Sequence, residues 1–529
     1  MSMHILYLSL PAVLLVHVAI SIFLRTRNRS LKLLQGPPNP SFWLGHEQQI
    51  QSQREVGELE YKWFKEYGTA FRVHTCFGES VLAIADPKAL QHIFHKSSYR
   101  YMKAKDQTQG GARLFGPGVS TVHGNTHQRH RKILGPAFSA AQIKPFASTF
   151  QKLTQSLIAK WRDQVSAGVT TINVLKWFPN MTLDALGETV FEYDFGALEN
   201  QGNELAEMVR HLFADSVRPT PFKTIYRNAR RTLPDPLVQL TELFPTKEDI
   251  RFGRWLTASS SVAQKLYDGK MQGETSEEND LLGVISRSLN NQDPAKSFSN
   301  TEALAQMSTI ILAGHETSSS TLTWMVYELS RRPELQERLV KEVKEARVKA
   351  GDELTPSDYD SMPLLNAVIK ETLRCHPILN TLVRQADVDD VIPLQCPIVS
   401  VSGEVISQIP VTKGQRIMVC VGSYNRLEEV WGPNPHEWDP SRFLDEKRQT
   451  NVGVFANLMT FGAGVRACLG WRFAILELQA AISSLIENFE FFAPPGVDIV
   501  RIPAGIMAPA VRGKLHEGLQ MPIQVKIRD

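Results

Sequence analysis

Apolar and polar positions follow three patterns along this chain, and the changes of pattern mark its organisation. From Ile5 to Leu24 nearly every residue is apolar, and Met1–Leu24 contains no Lys, Arg, Asp or Glu. Twenty helical residues at 1.5 Å each reach about 30 Å, the thickness of a bilayer core. Arg25, Arg27, Arg29 and Lys32 follow at once. A basic cluster on that flank stays cytosolic, which predicts a single-pass anchor with the body of the protein on the same side. A cleaved signal peptide would need a basic n-region and a small-residue cleavage site, and neither is present. The stretch "QGPPNP" (Gln35–Pro40) cannot continue a helix and predicts a stiff elbow. The expected division is an anchor over 1–24, a basic and proline-rich hinge over 25–45, and one large domain over 46–529.

Beyond the elbow, apolar residues recur mainly at helical spacing. Amphipathic segments are predicted at about 146–165, 181–191, 300–332, 333–350, 361–373 and 468–488. Alternation at a period of two predicts a strand pair within Thr69–Pro87 and a short strand set near Ile398–Val421. The fold class expected is mainly α with small β-sheets. Ser299 with Glu302 three residues on is a capping box opening the longest helix. Its middle, "ILAGHETSSSTL", then holds Gly314, Glu316 and five consecutive hydroxyl residues, Thr317–Thr321. A mid-helix glycine costs about 1 kcal/mol relative to alanine, and Ser and Thr compete for the backbone's hydrogen bonds. A weakened centre is therefore expected there.

Composition adds exclusions. With a net charge of +3 over 529 residues, the chain is too mildly basic to suggest nucleic acid. Its five cysteines are unclustered and odd in number, which argues against zinc spacing and a disulfide framework. One of them is conspicuous: "FGAGVRACLG" surrounds Cys468 with glycines just before an apolar-faced helix. Glycines permit tight turns and close approach of a bulky ligand, and a helix N-terminus favours thiolate. A buried structural cysteine is the bland alternative.

Phe461, Gly464, Arg466, Cys468 and Gly470 match the Phe-x-x-Gly-x-Arg-x-Cys-x-Gly signature of the cytochrome P-450 superfamily. "AGHETS" (Ala313–Ser318) looks like its oxygen-binding segment and "ETLR" (Glu371–Arg374) its Glu-x-x-Arg helix. "WDPSRF" (Trp438–Phe443) is similar to the loop supplying a further arginine, Arg442. The proline elbow resembles that of microsomal members, and the style of the motifs resembles fungal ones.

The resemblance implies haem b with Cys468 as thiolate axial ligand, and Phe461 and Gly462 beside it. Arg466, Arg131, His127 and Arg384 would hold the propionates. His127 stands where many relatives carry tryptophan; a solvated basic helix face is the competing reading of its segment. Ala313 would leave room for O2, Thr317 would hold a proton at it, and Glu316 would pass protons from solvent. His315 would pack or face solvent. Glu371, Arg374 and Arg442 would form a structural network, where spacing alone suggests a surface pair. Leu114 and Phe115, in a loop, would line the substrate pocket with Phe213, Phe222, Thr309, Leu312, Leu379, Asn380, Thr381, Ile506 and Met507.

The implied activity is hydroxylation or epoxidation of a lipophilic terpenoid, steroid-like or aromatic secondary metabolite at the endoplasmic reticulum membrane. Electrons from NADPH would come through a separate haemoprotein reductase, with cytochrome b5 as a further partner. Arg129, Arg131, Lys132, Arg466 and Arg472 would form a basic docking face for it. The alternatives are a haem-thiolate isomerase or dehydratase without a reductase, disfavoured by Glu316–Thr317, and a non-enzymatic haem sensor.

Overall fold

The computed structural model describes residues 30–528 except 98, 200–203, 213–216, 234–236, 239–240, 242, 244, 273–280, 352 and 445–450. The expected anchor and the expected pocket residue Phe213 lie outside the described residues. Among the described residues no helix is long and apolar enough to cross a membrane.

The fold is helix-rich with small sheets at its margins. A 31-residue helix, Asn300–Ser330, runs through the middle. It opens as its sequence predicts: the Ser299 hydroxyl accepts from the Glu302 N–H and Glu302 accepts from the Ser299 N–H. Its buried residues lie all round from Ala303 onward, as a helix crossing a core requires. The expected weak centre is corrected here, because the helix continues without interruption through Gly314–Thr321. The hydroxyls turn back onto their own helix instead. Thr317 donates to Ala313 O at 2.8 Å, Thr321 to Thr317 O at 2.9 Å and Thr323 to Ser319 O at 2.8 Å. Gly314 has a packing reason, since a Cβ there would lie 2.7 Å from a Leu186 methyl on the crossing helix Phe178–Leu186.

Two other helices flank it. Pro363–Cys375 carries Glu371 and Arg374, and Trp471–Asn488 follows the cysteine loop. The latter begins three residues after Cys468 rather than at it, with Gly470 at the cap position.

A five-stranded sheet closes one side in the order Ala70–His74, Ser80–Ile84, Arg416–Cys420, Thr381–Ala386, Tyr101–Met102. The first pair falls inside the predicted Thr69–Pro87 segment; the last two strands were not predicted. Tyr101–Met102 pairs antiparallel with Thr381–Ala386, Tyr101 opposite Ala386 and Met102 opposite Gln385. Leu31 and Leu34 are fully buried, and Gln35 O accepts from the Arg72 N–H, so the segment entering the elbow is packed onto this sheet.

Candidate active site

Cys468 lies in a loop whose shape its glycines set. Gly464 sits at φ +61, and a Cβ there would approach the Phe94 carbonyl oxygen to 1.8 Å. The Cys468 N–H donates to Phe461 O at 2.8 Å, closing the turn. The thiol side chain opens onto a cavity that Ala313, Gly314 and Thr317 of the central helix also line. Thr309, Phe461, Arg466, Arg131 and His127 border the same cavity. Burial pushes the Cys468 thiol above its ordinary pKa; the Gly470 N–H and the Arg131 charge oppose this. A thiol in that setting becomes a thiolate when a metal takes the proton's place.

Cations without anions surround the cavity. Arg131 donates to Ala467 O at 2.5 Å, and Arg466 to Val122 O at 2.8 Å. Arg384 does not line the cavity itself; it is 5 % exposed, donates to Val383 O and lies over the Phe94 ring at 5.0 Å. None of the three is within ion-pair distance of a carboxylate among the described residues. His127 Nδ1 is 3.0 Å from the Tyr99 hydroxyl. Burial, then Arg466 and Arg131, push its pKa down to about 3, so the ring is neutral and carries a single N–H. Buried charge of one sign asks for a dianionic ligand. A thiol on one wall, cations at the rim and small residues opposite fit haem with two propionates.

Glu371 and Arg374 are both fully buried and joined twice, at 2.6 and 2.7 Å. Arg442 Nε stands 3.6 Å from the same carboxylate and donates to Trp431 O and Asn434 O. Arg374 also donates to the carbonyls of Asn425, Pro435 and Glu437, tying its helix to two other segments through one guanidinium. The arrangement is buried, and the surface-pair alternative does not apply.

Several expected pocket residues are elsewhere. Phe222 is 78 % exposed at the start of the helix Pro221–Thr232, so it lines nothing. Leu114 and Phe115 end a helix, Lys105–Phe115, instead of forming a loop, and neither borders the Cys468 cavity. Leu312 points into the core. Leu379, Asn380, Thr381, Ile506 and Met507 do gather, but around a second cavity that shares no lining residue with the first. His315 is buried, its Nδ1 2.6 Å from Ile311 O, which matches packing. Glu316 is half-buried on the central helix and does not line the Cys468 cavity. Arg129 is bound to Glu302 and Ser297 O, and Arg131 and Arg466 border the cavity, which leaves exposed Lys132 and Arg472 of the expected docking face. Tyr99, Lys103, Leu186 and Val190 belong to the site's surroundings without a local sequence signal.

Residues 35–516 match the family model described as Cytochrome P450. The chain is 31% identical over 506 residues to "Cytochrome P450 monooxygenase claQ" of Ampulloclitocybe clavipes, covering 93% of this chain and 92% of that one. It is 32% identical over 508 residues to "Cytochrome P450 monooxygenase claP" of the same fungus, with the same shares covered. Against "Cytochrome P450 monooxygenase 128" of Postia placenta the identity is 31% over 512 residues, covering 94% of this chain and 92% of the relative.

Proposed function

The chain belongs to the cytochrome P450 family and is a haem-thiolate monooxygenase, and from that premise we propose how its residues divide the work and what they work on. The observation carrying the reading is that the Cys468 side chain and the Ala313–Thr317 face of the central helix line one cavity. Haem b held there through Cys468 supplies the reductive activation of O2. Phe461 and Gly462 would hold the cysteine loop against the cofactor, and Arg131, Arg466, Arg384 and His127 would hold its propionates. Ala313 leaves space for O2. The Thr317 hydroxyl, turned from Ala313 O towards the cavity, would hold a proton there, and Glu316, one residue before it and outside the cavity lining, would renew that proton from solvent.

The substrate is a lipophilic terpenoid, steroid-like or aromatic metabolite that is hydroxylated or epoxidised. The apolar groups near Thr309, including Val119 and Ile310, support that class because they exclude water from the reacting end. Electrons come from an NADPH-dependent haemoprotein reductase meeting exposed Lys132 and Arg472, with cytochrome b5 as a further donor. The run Ile5–Leu24 anchors the protein in the endoplasmic reticulum membrane with its body in the cytosol.

The test is the reduced, CO-bound spectrum. The strongly red-shifted Soret band of thiolate-ligated haem is expected in the wild type and in Cys375→Ser, and absent in Cys468→Ser. A wild-type band surviving in Cys468→Ser would remove the axial-ligand assignment. Substrate-induced spectral shifts over a metabolite library would then test the substrate class.

A further inference from the structure

Beside Arg131 and Arg466, a third cation lines the cavity from a place where nothing in the local sequence points to it. Lys103 sits just after the strand Tyr101–Met102, in "YMKAKD", a stretch that reads as a solvated connection. The strand's register changes that. The ladder ends with Met102 opposite Gln385, and its register carried one step past that end sets Lys103 level with Arg384. The pairing carries the lysine to the rim of the Cys468 cavity, which it lines together with Arg466 and His127. Its ammonium donates to Ser120 O at 2.7 Å, leaving two N–H groups to place.

Among the described residues the surroundings supply no counter-charge. The groups that act on Lys103 electrostatically are Arg384, from the paired strand, and Arg466, from the cysteine loop, and both repel it. From the helix Gly124–Leu134 and its entry, His123 and His127 feel its positive charge too. Burial first, then those two arginines, push the lysine's pKa down to about 7. A structural lysine at such a site would be paired with a carboxylate, as Arg416 nearby is paired with Asp106 at 2.7 Å. A solvated one would lie clear of the interior. Lys103 is neither, and a long stem that brings a bare ammonium among arginines needs an anion to meet it.

We propose that Lys103 is a positioning residue for the cofactor, a cationic anchor that works with Arg384 on one carboxylate of the haem rim. The assignment rests on the haem reading above. It deepens that reading by giving the short strand Tyr101–Met102 a purpose: its pairing with Thr381–Ala386 assembles a two-cation clamp from chain positions 281 residues apart (384 − 103).

The test compares Lys103→Met, Lys103→Gln and Lys103→Arg in the full-length, haem-loaded protein. Haem loss is followed as transfer to excess apomyoglobin, and the reduction potential by spectroelectrochemistry. Loss of the charge-assisted bond is expected to speed haem transfer about tenfold in Lys103→Met. Lys103→Gln keeps a hydrogen-bond donor without the charge and should behave like Lys103→Met, whereas Lys103→Arg should return to within about twofold of wild type. The potential should become more negative in the two neutral variants and stay put in Lys103→Arg, because a positive charge near the iron favours the reduced state. Wild-type haem transfer and potential in both neutral variants would overturn the proposal. So would a Lys103→Gln variant that matches wild type while Lys103→Met does not, since the bond to Ser120 O would then be the lysine's whole role. A wild-type protein that lacks the thiolate Soret band would instead fail the haem reading itself.

Discussion

The Thr317 hydroxyl donates to the Ala313 carbonyl at 2.8 Å, and both residues expose that face of the central helix to the cavity that Cys468 opens onto. A hydroxyl already bonded within its own helix is held in place without other support. It can turn from that carbonyl to a bound oxygen at the cost of one exchangeable hydrogen bond, about 1 kcal/mol.

Thr317→Ala should therefore fold normally, with stability within about 0.5 kcal/mol of wild type. Haem, O2 and substrate binding should persist. With reductase present, NADPH consumption should continue while product per NADPH falls and hydrogen peroxide rises to fill the difference. Unchanged coupling would show that this hydroxyl is not needed for oxygen activation.

Gly314→Ala separates packing from chemistry. On helix propensity alone alanine gains about 1 kcal/mol. A Cβ 2.7 Å from Leu186 forces two helices or a core rotamer to shift, which costs about 1–3 kcal/mol. Net destabilisation is expected in urea titrations, and Leu186→Ala added to Gly314→Ala should cost less than Leu186→Ala alone. A Gly314→Ala variant more stable than wild type would show that the helix pair has room to spare.

Glu371→Ala leaves Arg374 fully buried with carbonyl partners and no carboxylate. The cost should be about 3–5 kcal/mol, seen as a lowered urea midpoint and poor haem retention. Arg442→Lys should cost less, because its guanidinium stands 3.6 Å from Glu371 while donating to the Trp431 and Asn434 carbonyls.

Acid should weaken the fold through two buried histidines. Burial pushes His315 down to about 4, with the Ile311 carbonyl opposing; burial likewise pushes His376 down to about 4 against the Glu328 carboxylate. Both bind more protons unfolded than folded, so their stabilisation is complete above pH 6.5 and falls as pH drops from 6.5 towards 4. At pH 5 each should cost roughly 2 kcal/mol relative to neutral pH. Burial pushes Glu328 up, but hydrogen bonds from His376 and Arg332 outweigh it and bring it to about 2; its share is lost lower, from 4.5 towards 2. Thermal melts from pH 7.5 to 4.5 should show the first decline in wild type and a shallower one in His315→Leu. Equal slopes would remove His315 from the account.

What was legible in the sequence was whatever depends on neighbours in the chain. The central helix is signed at its start by Ser299 and Glu302, and its span of 300–330 is within two residues of the apolar pattern. The cysteine loop is readable because its glycines and Cys468 lie within ten residues of each other. The strand Tyr101–Met102 is defined by a partner some 280 positions away and Thr381–Ala386 mainly by Arg416–Cys420, some 30–40 positions on, so no local period marks either. Lys103 and Tyr99 shared that fate. Phe222 failed for a related reason: an amphipathic helix places its first aromatic by its own rotation, and here that residue faces outward at 78 % exposure.

The two-residue strand Tyr101–Met102 also bears on the order in which the molecule matures. Lys103 and Arg131 come from one part of the chain and Arg384 and Arg466 from two others, and the strand pairing that joins the first to the third closes a loop of about 280 residues. Long loops close late, so the rim charges meet only after most of the chain has collapsed. Cys468 itself leaves the ribosome after some 470 residues have been added, roughly 20–100 s into synthesis at 5–20 residues per second. The rim that would receive the cofactor is thus among the last parts of the site to assemble.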